Sequence, residues 1–451
     1  MAFTELQTTI YTAIKPILKI YFIIACGFAL GRANILTTQT CKHISTLVVL
    51  MLLPTLIFSK IVTNIGIEDI KQVGIIVLVS VVLYLMGGII TWIIYFITNV
   101  PDVWFGGCLS AGLFPNVAEL PIAYISTFNS FSDEEVEKGL SYVVMFLTTY
   151  CIIQFNFGGI VLIERDFDTE RRHLEEEDMT IENTKANSKT TGVSKHTDVM
   201  NTSISRTTSI QSNRSHMSNI ELRNADTEDI SDMISTYHRD DLIEDEVPQW
   251  RQLLRFNPLT FIRFFALNLK RPMSIALIVA LLCSLIPWLR GLFVNVRQVS
   301  YPTAPDAEPP LSFIMDFCDY MANACVPLGI LVLGSTLSRL SLSGTTLRFW
   351  YTPVLICIGR VVVLPIIGVL FTDRLHQIGW FDNDRILHFV CAISWGLPSA
   401  TSLIYLTAAC ADQDGPQMKY LAVVYIVQYA VLGVSLPFLA TWTVMKSLSV
   451  N

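Results

Sequence analysis

The chain has 451 residues, of which 52% are hydrophobic and only 15% are charged. Soluble domains carry about a quarter charged residues, so this composition excludes a soluble enzyme, a nucleic-acid-binding protein and a disulfide-stapled secreted module. The formal charge of −7 is unevenly distributed, because residues 164–247 hold 20 acidic and 10 basic residues and the rest of the chain is slightly basic. One acidic polar segment therefore interrupts an otherwise apolar body.

Long apolar runs lie on both sides of the polar segment. A helix needs about 20 predominantly apolar residues to cross a bilayer, and ten runs reach that length, five before the segment and five after it. The runs are residues 10–31, 42–63, 70–99, 103–127, 137–163, 271–294, 311–338, 347–371, 386–410 and 417–445. They predict an all-α polytopic membrane protein with ten transmembrane helices embedded in a lipid bilayer.

The polar segment predicts a linker between the two halves. Residues 164–250 are acidic and rich in Ser and Thr, a composition that buries too little apolar surface to offset chain entropy and predicts a mostly disordered linker. Within it, Arg206-Thr207-Thr208-Ser209 resembles a basophilic kinase site. This predicts phosphorylation of Ser209 by a kinase, the alternative being a plain solvated linker.

Charge also predicts the domain order and the orientation. Basic residues alternate with aromatic ones in the segment that follows the linker, which predicts an interfacial amphipathic segment. Basic residues flank the linker on both sides, so the linker is expected to be cytosolic and both termini lumenal or outside. The predicted domains are a first five-span repeat at 1–163, the linker at 164–250, the interfacial segment at 251–270 and a second five-span repeat at 271–451.

Prolines in the two halves occur at similar offsets. Pro54 in span 2 and Pro327 in span 7 are 273 residues apart, and Pro121 in span 4 and Pro398 in span 9 are 277 apart. The offset is 283 if Pro115 is the partner of Pro398. These offsets predict two copies of one five-span unit, and the second copy is inverted because five is an odd number.

Spans 4 and 9 each combine proline with polar residues. Proline removes a backbone donor and clashes with the preceding turn. Because hydrocarbon offers no water to the freed groups, a broken helix is tolerated only against protein or a wet cavity. The half-helix N-termini at a break carry partial positive charge, so two such breaks form a midplane site suited to an anionic group. The expected breaks lie at Pro115 and Pro121 in span 4 and at Pro398 in span 9.

A motif in span 4 resembles a known family. The segment Asn-Val-Ala-Glu-Leu-Pro-Ile-Ala-Tyr-Ile, from Asn116 to Ile125, resembles the span 4 motif of the auxin efflux carrier family, in particular of the PIN-LIKES proteins and their fungal relatives. The segments from Val326 to Leu337 and from Arg360 to Pro365 are similar to the family's span 7 and span 8. The resemblance covers both membrane halves and not the linker.

The resemblance implies an architecture and a substrate class. It implies ten spans in two inverted five-helix repeats, crossed broken helices at spans 4 and 9, a scaffold of spans 1, 2, 6 and 7, and a homodimer. It also implies small organic anions as substrates, such as auxin or dicarboxylates. The implied location is the endoplasmic reticulum membrane, with the plasma membrane and the vacuole as alternatives. Glu119 departs from the family pattern, in which many relatives have an uncharged or shorter residue.

The candidate substrate-binding residues follow the two predicted breaks. Asn116 is expected to donate to a substrate carboxylate, to cap the broken helix, or both. Glu119 is a carboxylate at a depth where charge is costly; it is either a proton carrier coupled to anion movement or an acceptor for half-helix N–H groups. Ser399, Thr401 and Ser402 either donate to the substrate or satisfy carbonyls freed by the break.

Two candidate residues lie on other spans. Asn323, one turn before Pro327, either lines the cavity or has a structural role. Arg360, in the interior of span 8, is expected to pair with an internal carboxylate, the alternative being attraction of anions.

The remaining reactive residue types predict no metal and no cofactor. The ten cysteines lie mostly in or beside apolar runs and form no CxxC pair, as expected of small buried hydrophobes. The seven histidines lack metal-ligand spacing, and no GxxxxGK[ST] loop for ATP occurs. The sequence thus predicts a secondary transporter of organic anions that works by alternating access and is not an enzyme. The alternative is a non-transporting membrane receptor or regulator whose phosphorylatable linker is the output.

Overall fold

The computed structural model describes residues 2–65, 70–117, 119–127, 131–190, 265–296, 299, 301, 305–339, 347–382, 384–411 and 415–449. Within these ranges the regular structure is helical, and the only β-type pairings are two isolated backbone bridges. Ser209 and most of the predicted interfacial segment lie outside the described residues.

The first half of the described chain forms helices that range from nine to 32 residues. They are α1 (Ala2–Arg32), α2 (Thr38–Leu47), α3 (Leu53–Asn64), α4 (Ile70–Thr98), α5 (Phe105–Leu113), α6 (Glu119–Thr127), α7 (Asp133–Cys151) and α8 (Gly159–Thr190). A π-helical turn, Val48–Leu52, joins α2 to α3, and a second one, Ile152–Asn156, follows α7.

The second half repeats the alternation of long and short helices. It contains α9 (Pro272–Leu285), α10 (Pro287–Phe293), α11 (Ser312–Arg339), α12 (Leu347–Ile358), α13 (Leu364–Gln377), α14 (Arg385–Ser394), α15 (Ser402–Cys410) and α16 (Pro416–Ser449). A π-helical turn, Gly359–Val363, joins α12 to α13.

Six helical segments of the described chain are long and apolar enough to cross a membrane, or seven if the bent pair α9–α10 counts as one. The six segments are Thr38–Asn64, Lys71–Thr98, Asp133–His173, Ser312–Arg339, Trp350–Gln377 and Pro416–Met445. Helices α5, α6, α14 and α15 have nine or ten residues each, too few to cross a bilayer singly. The chain is therefore a polytopic membrane protein, and the count of ten spans and the inverted repeat stay predictions.

Two segments differ from the sequence prediction. The predicted span 271–294 bends by 105° between α9 and α10, because Pro287 forces the residue before it, Ile286, into extended backbone. The predicted linker is helical as far as Thr190, where α8 ends. Its first part is rich in good helix formers and carries an Arg171–Asp168 pair one turn apart at 3.0 Å, both of which favour a helix.

The long helices pack in two groups. Helix α11 packs against α1 and α3, and α3 packs against α9; these helices belong to the predicted spans 1, 2, 6 and 7. The contact of α1 with α11 depends on glycine: a Cβ on Gly27 would lie 2.4 Å from the carbonyl oxygen of Leu331, and one on Gly334 would lie 2.2 Å from that of Ile24. Small residues permit such close backbone approach, which drives helix association where lipid replaces water.

The second group surrounds the short helices. Helix α4 packs against α5 and α7, α16 packs against α12 and α14, and α5 also contacts α15 and α16. The interior contains large, fully buried side chains such as Trp104, Phe114 and Trp395. The helix interruptions that contain Pro115 and Pro398 both lie in this group.

Candidate functional site

Two helices of the second group are interrupted inside the protein. Helix α5 ends at Leu113 and α6 begins at Glu119, whereas α14 ends at Ser394 and α15 begins at Ser402. The residues in both gaps that the structure describes are buried. Proline occupies each gap and cannot donate a backbone hydrogen bond, so the helical ladder stops there.

The two gaps lie against each other and pair as antiparallel backbone, with Pro115 opposite Ser399. We call this pairing the crossover. Amide groups freed by one break donate to carbonyl groups freed by the other, so that the backbone is satisfied without water. The bonds are Asn116 N to Pro398 O and Ala400 N to Phe114 O, both 2.9 Å.

The C-terminal carbonyls of α5 receive donors from other helices. In a continuous helix the carbonyl of Ala111 would accept from the backbone of residue 115, but Pro115 has no N–H. The carbonyl of Gly112 would accept from the N–H of Asn116, but that N–H donates across the crossover instead. The hydroxyl of Ser399 donates to Ala111 at 2.6 Å, and Nη1 of Arg360 donates to Gly112 at 2.5 Å. Both side chains therefore complete a helix end that the proline has broken.

Ser399 is held on its other side by Gln428 of α16. The backbone N–H of Ser399 donates to Oε1 of Gln428, and Nε2 of Gln428 donates to the Ser399 hydroxyl, both at 2.9 Å. Gln428 is fully buried. A hydroxyl has one proton to donate, and in this structure the proton of Ser399 goes to the carbonyl of Ala111.

The second break is tied to α7 and α16 by tyrosines. The hydroxyls of Tyr150 and Ser402 form a hydrogen bond, and the hydroxyl of Tyr425 donates to the carbonyl of Ala400. Thr401, at the N-cap of α15, is buried and makes no side-chain capping bond. Ser402 therefore bonds within the protein, and the side chain of Thr401 does not cap α15.

The other predicted residues of the first break are placed as follows. Asn116 is 3% exposed, and its backbone N–H belongs to the crossover. Pro121 is buried in the first turn of α6. Glu119 is the first residue of α6, and its side chain lies outside the described part of the structure.

The structure does not join Asn323 to the crossover. This residue is exposed on α11, and no hydrogen bond between it and the crossover occurs among the described residues. Asp319, one turn earlier, accepts from Ser59 and pairs with Lys60 at 3.5 Å. The polar face of α11 thus contacts α3.

Arg360 lies on the π-helical turn between α12 and α13 and is 2% exposed. The predicted pairing with an internal carboxylate is not found within the described residues. The guanidinium instead donates to the carbonyl of Gly112, and its Nε and Nη2 atoms are buried without a hydrogen-bond partner. A backbone carbonyl at a helix C-terminus carries partial negative charge, which compensates part of the arginine charge.

The sequence analysis missed Asp166, which it assigned to the linker. This carboxylate is 1% exposed and accepts the backbone N–H groups of Gly106 at 2.8 Å and Gly107 at 2.7 Å. It therefore caps the N-terminus of α5, where a negative charge is favourable. Its partners are about 60 residues away in sequence, so no local pattern marks it.

A second missed residue is Gln154, on the π-helical turn after α7. It is fully buried, and neither its Nε2 nor its Oε1 atom has a hydrogen-bond partner in the described part of the structure. Asn156, on the same π-helical turn, accepts from the hydroxyl of Ser274 at 2.9 Å. Gln154 lies beside Gly159 and the ring of Phe114, next to the crossover.

The sequence of the whole chain is similar to that of known proteins. The sequence model of a family described as "Membrane transport protein", the auxin efflux carrier family, matches residues 12–440. The chain belongs to this family. The match includes both breaks and every described residue of the crossover.

Individual relatives extend over nearly the whole chain. Protein ECM3 of Saccharomyces cerevisiae is 31% identical over 608 residues, covering 98% of this chain and 99% of the relative. Uncharacterized transporter YLR152C of the same yeast is 30% identical, covering 99% of this chain and all of the relative. Protein PIN-LIKES 4 of Arabidopsis thaliana is 22% identical, with 86% and 88% covered. The chain is accordingly an integral membrane protein of a transport family.

Proposed function

We propose that the protein is a secondary transporter of organic anions that works by alternating access and binds a substrate carboxylate at the crossover. The observation that carries the proposal is the pairing of two broken helices at Pro115 and Ser399. Helices α6 and α15 both begin directly after the crossover. Their N-termini bring partial positive charge to one place, an arrangement that favours an anion.

Asn116 is the side chain we propose for the carboxylate. Its amide can donate two hydrogen bonds, and it lies at the break next to the start of α6. In this structure the hydroxyl of Ser399 donates to a backbone carbonyl, and the hydroxyl of Ser402 bonds to that of Tyr150. We propose that these two residues hold the two backbones in register. Thr401 adds a hydroxyl at the start of α15.

The two packing groups supply the parts that alternating access requires. We propose that α1, α3, α9 and α11 stay fixed, while the group that contains the crossover moves against them. Transport without ATP is then driven by the anion gradient, by a coupled proton or by the membrane potential, which contributes about 2.3 kcal/mol per charge per 100 mV. A receptor has no need of paired breaks at the membrane midplane.

The test is uptake of radiolabelled indole acetate and succinate into proteoliposomes that contain the full chain. We expect saturable flux in the wild type and its loss in Asn116→Ala. Asn64→Ala is the matched control, because within the described residues this amide bonds to its own helix, at the carbonyl of Lys60. Unchanged flux in Asn116→Ala rejects the site. Absence of flux for both anions in the wild type rejects the substrate class and favours the receptor.

We also propose the endoplasmic reticulum membrane as the location, with the linker in the cytosol. The basic residues on both flanks of the linker support the orientation, and the family resemblance supports the compartment. Protease treatment of intact microsomes should cleave the linker and leave a tag at either terminus protected. Protection of the linker contradicts the orientation, and co-localisation with plasma-membrane or vacuolar markers contradicts the compartment.

A further inference from the structure

Arg360 carries a buried charge that no described acid neutralises. A guanidinium has five N–H donors, yet one bond, to Gly112, is formed here and two nitrogens are buried without a partner. The ionisable side chains that act on it electrostatically are Tyr84 and Tyr425, both of them phenols that are neutral at physiological pH.

Such an arrangement is costly for folding alone. An unpaired charge in a buried position is strongly destabilising, and apolar residues of similar volume are often more stabilising. Ionisable residues inside membrane segments therefore mark functional positions by default. A structural donor for the Gly112 carbonyl needs no charge, since Ser399 serves the neighbouring carbonyl of Ala111 with a hydroxyl.

The position of Arg360 relates it to both breaks. Its partner Gly112 precedes Asn116 by four residues, which is one helical turn. Tyr425, which interacts with Arg360 electrostatically, donates to the carbonyl of Ala400 in the second break. The charge thus bonds directly to one broken helix and is linked through Tyr425 to the other, and Nε and Nη2 are closed to solvent in this structure.

We propose that Arg360 is the residue that makes the crossover selective for anions. It positions the end of α5 through Gly112, and its unneutralised charge stabilises a substrate carboxylate through the low-dielectric interior without contacting it in this conformation. This inference rests on the proposed function and adds the source of its charge selectivity.

A charge acting through space predicts an effect that grows with substrate charge. Arg360→Gln keeps an N–H donor for Gly112 and removes the charge. We expect the half-saturating concentration of indole acetate, a monoanion, to rise by about tenfold. For succinate, a dianion, the factor should be about the square of that. For uncharged indole acetamide, measured by competition, little change is expected.

The experiment uses the full chain in proteoliposomes, with wild type, Arg360→Gln, Arg360→Lys and Arg374→Gln. Arg374 is the matched control, because it is exposed on α13 and bonds to Gln377 at 2.9 Å. Arg360→Lys retains the charge. The ratios between the half-saturating concentrations of the three probes should therefore stay at the wild-type values, even where the transport rate falls. This variant also serves if Arg360→Gln does not yield folded protein.

The outcomes separate this inference from the proposed function. Equal losses for all three probes in Arg360→Gln, or a changed probe ratio in Arg360→Lys, overturn the inference and leave the anion transporter standing. Absence of saturable flux of both anions in the wild type overturns the proposed function and this inference with it. Losses that increase with probe charge, restored by lysine, support the inference.

Discussion

The hydroxyl of Ser399 donates to the carbonyl of Ala111 at 2.6 Å, although the two residues are 288 positions apart in the chain. The carbonyl is free because Pro115 lacks the N–H that would complete the helix. A side chain from the second half of the protein thus replaces a backbone donor that the first half lacks. Each break thus supplies hydrogen-bond partners to the other.

We predict that Ser399→Ala destabilises the protein. It leaves the Ala111 carbonyl and Nε2 of Gln428 buried without their partner, and an unsatisfied buried group costs about 1–3 kcal/mol. Ser399→Thr keeps the hydroxyl and is the control. Thermal unfolding in detergent, followed by fluorescence-detected size-exclusion chromatography, should give the order wild type, Thr, Ala. Equal stability of alanine and wild type contradicts the structural role.

Substitutions of Asn116 should distinguish the role of its backbone N–H from the role of its side chain. The bond across the crossover comes from the backbone N–H, which alanine retains and proline removes. We therefore expect Asn116→Ala to lose transport and stay folded, whereas Asn116→Pro should lose about 1 kcal/mol or more of stability with the buried bond to Pro398. The same unfolding assay compares them. Equal destabilisation by both would show that the side chain holds the fold.

Asp166 should stabilise the beginning of α5. Asparagine keeps the shape but loses the charge and one acceptor, so Asp166→Asn is expected to cost about 1–2 kcal/mol, through weaker capping and a weaker interaction with the helix dipole. Asp166→Ala should cost more. Asp168→Asn is the control on the same helix, because its pair with Arg171 is exposed and such pairs contribute little. Similar unfolding temperatures for the Asp166 and Asp168 variants would refute the capping role.

Substitution of Glu119 tests whether movement of the anion is coupled to movement of a proton. If its carboxylate carries a proton together with the anion, uptake should respond to an imposed pH gradient, and Glu119→Gln should remove that response because the amide does not titrate in this range. Uptake at several gradients, with the membrane potential clamped, measures the effect. A wild-type pH response that persists in Glu119→Gln would assign the coupling to another group.

The contact between α1 and α11 should not tolerate a side chain at Gly334. An added Cβ lies 2.2 Å from the carbonyl of Ile24, whereas a Cβ on Gly74 of α4 meets nothing within 4 Å. Gly334→Ala should lower the unfolding temperature, because the helices must separate. Gly74→Ala should be neutral or gain up to about 1 kcal/mol from helix propensity. A tolerated Gly334→Ala would mean that the helices are less closely packed than described.

Much of the architecture follows from local chemistry. Apolar length predicts membrane helices without knowledge of any partner. Polar residues beside proline marked Pro115 and Pro398 as breaks, whereas Pro327, Pro353 and Pro437 lie inside continuous helices. The helical beginning of the linker could not be recognised by composition, because a high content of Ser, Thr and charge in 164–250 masks the good helix formers before Thr190. The bend at Pro287 was overlooked because hydropathy is continuous across it.

The sequence by itself determined that this is an apolar, charge-poor chain of a transport family with interrupted helices in both halves, since each of these features depends on neighbouring residues. Only the tertiary structure decided which groups satisfy the breaks: Ser399 for Ala111, Arg360 for Gly112, and Asp166 for the start of α5. These partners are 60 to 288 residues apart. Every polar side chain near a break can bond to a freed backbone group, and the path of the chain through the membrane selects the one that does.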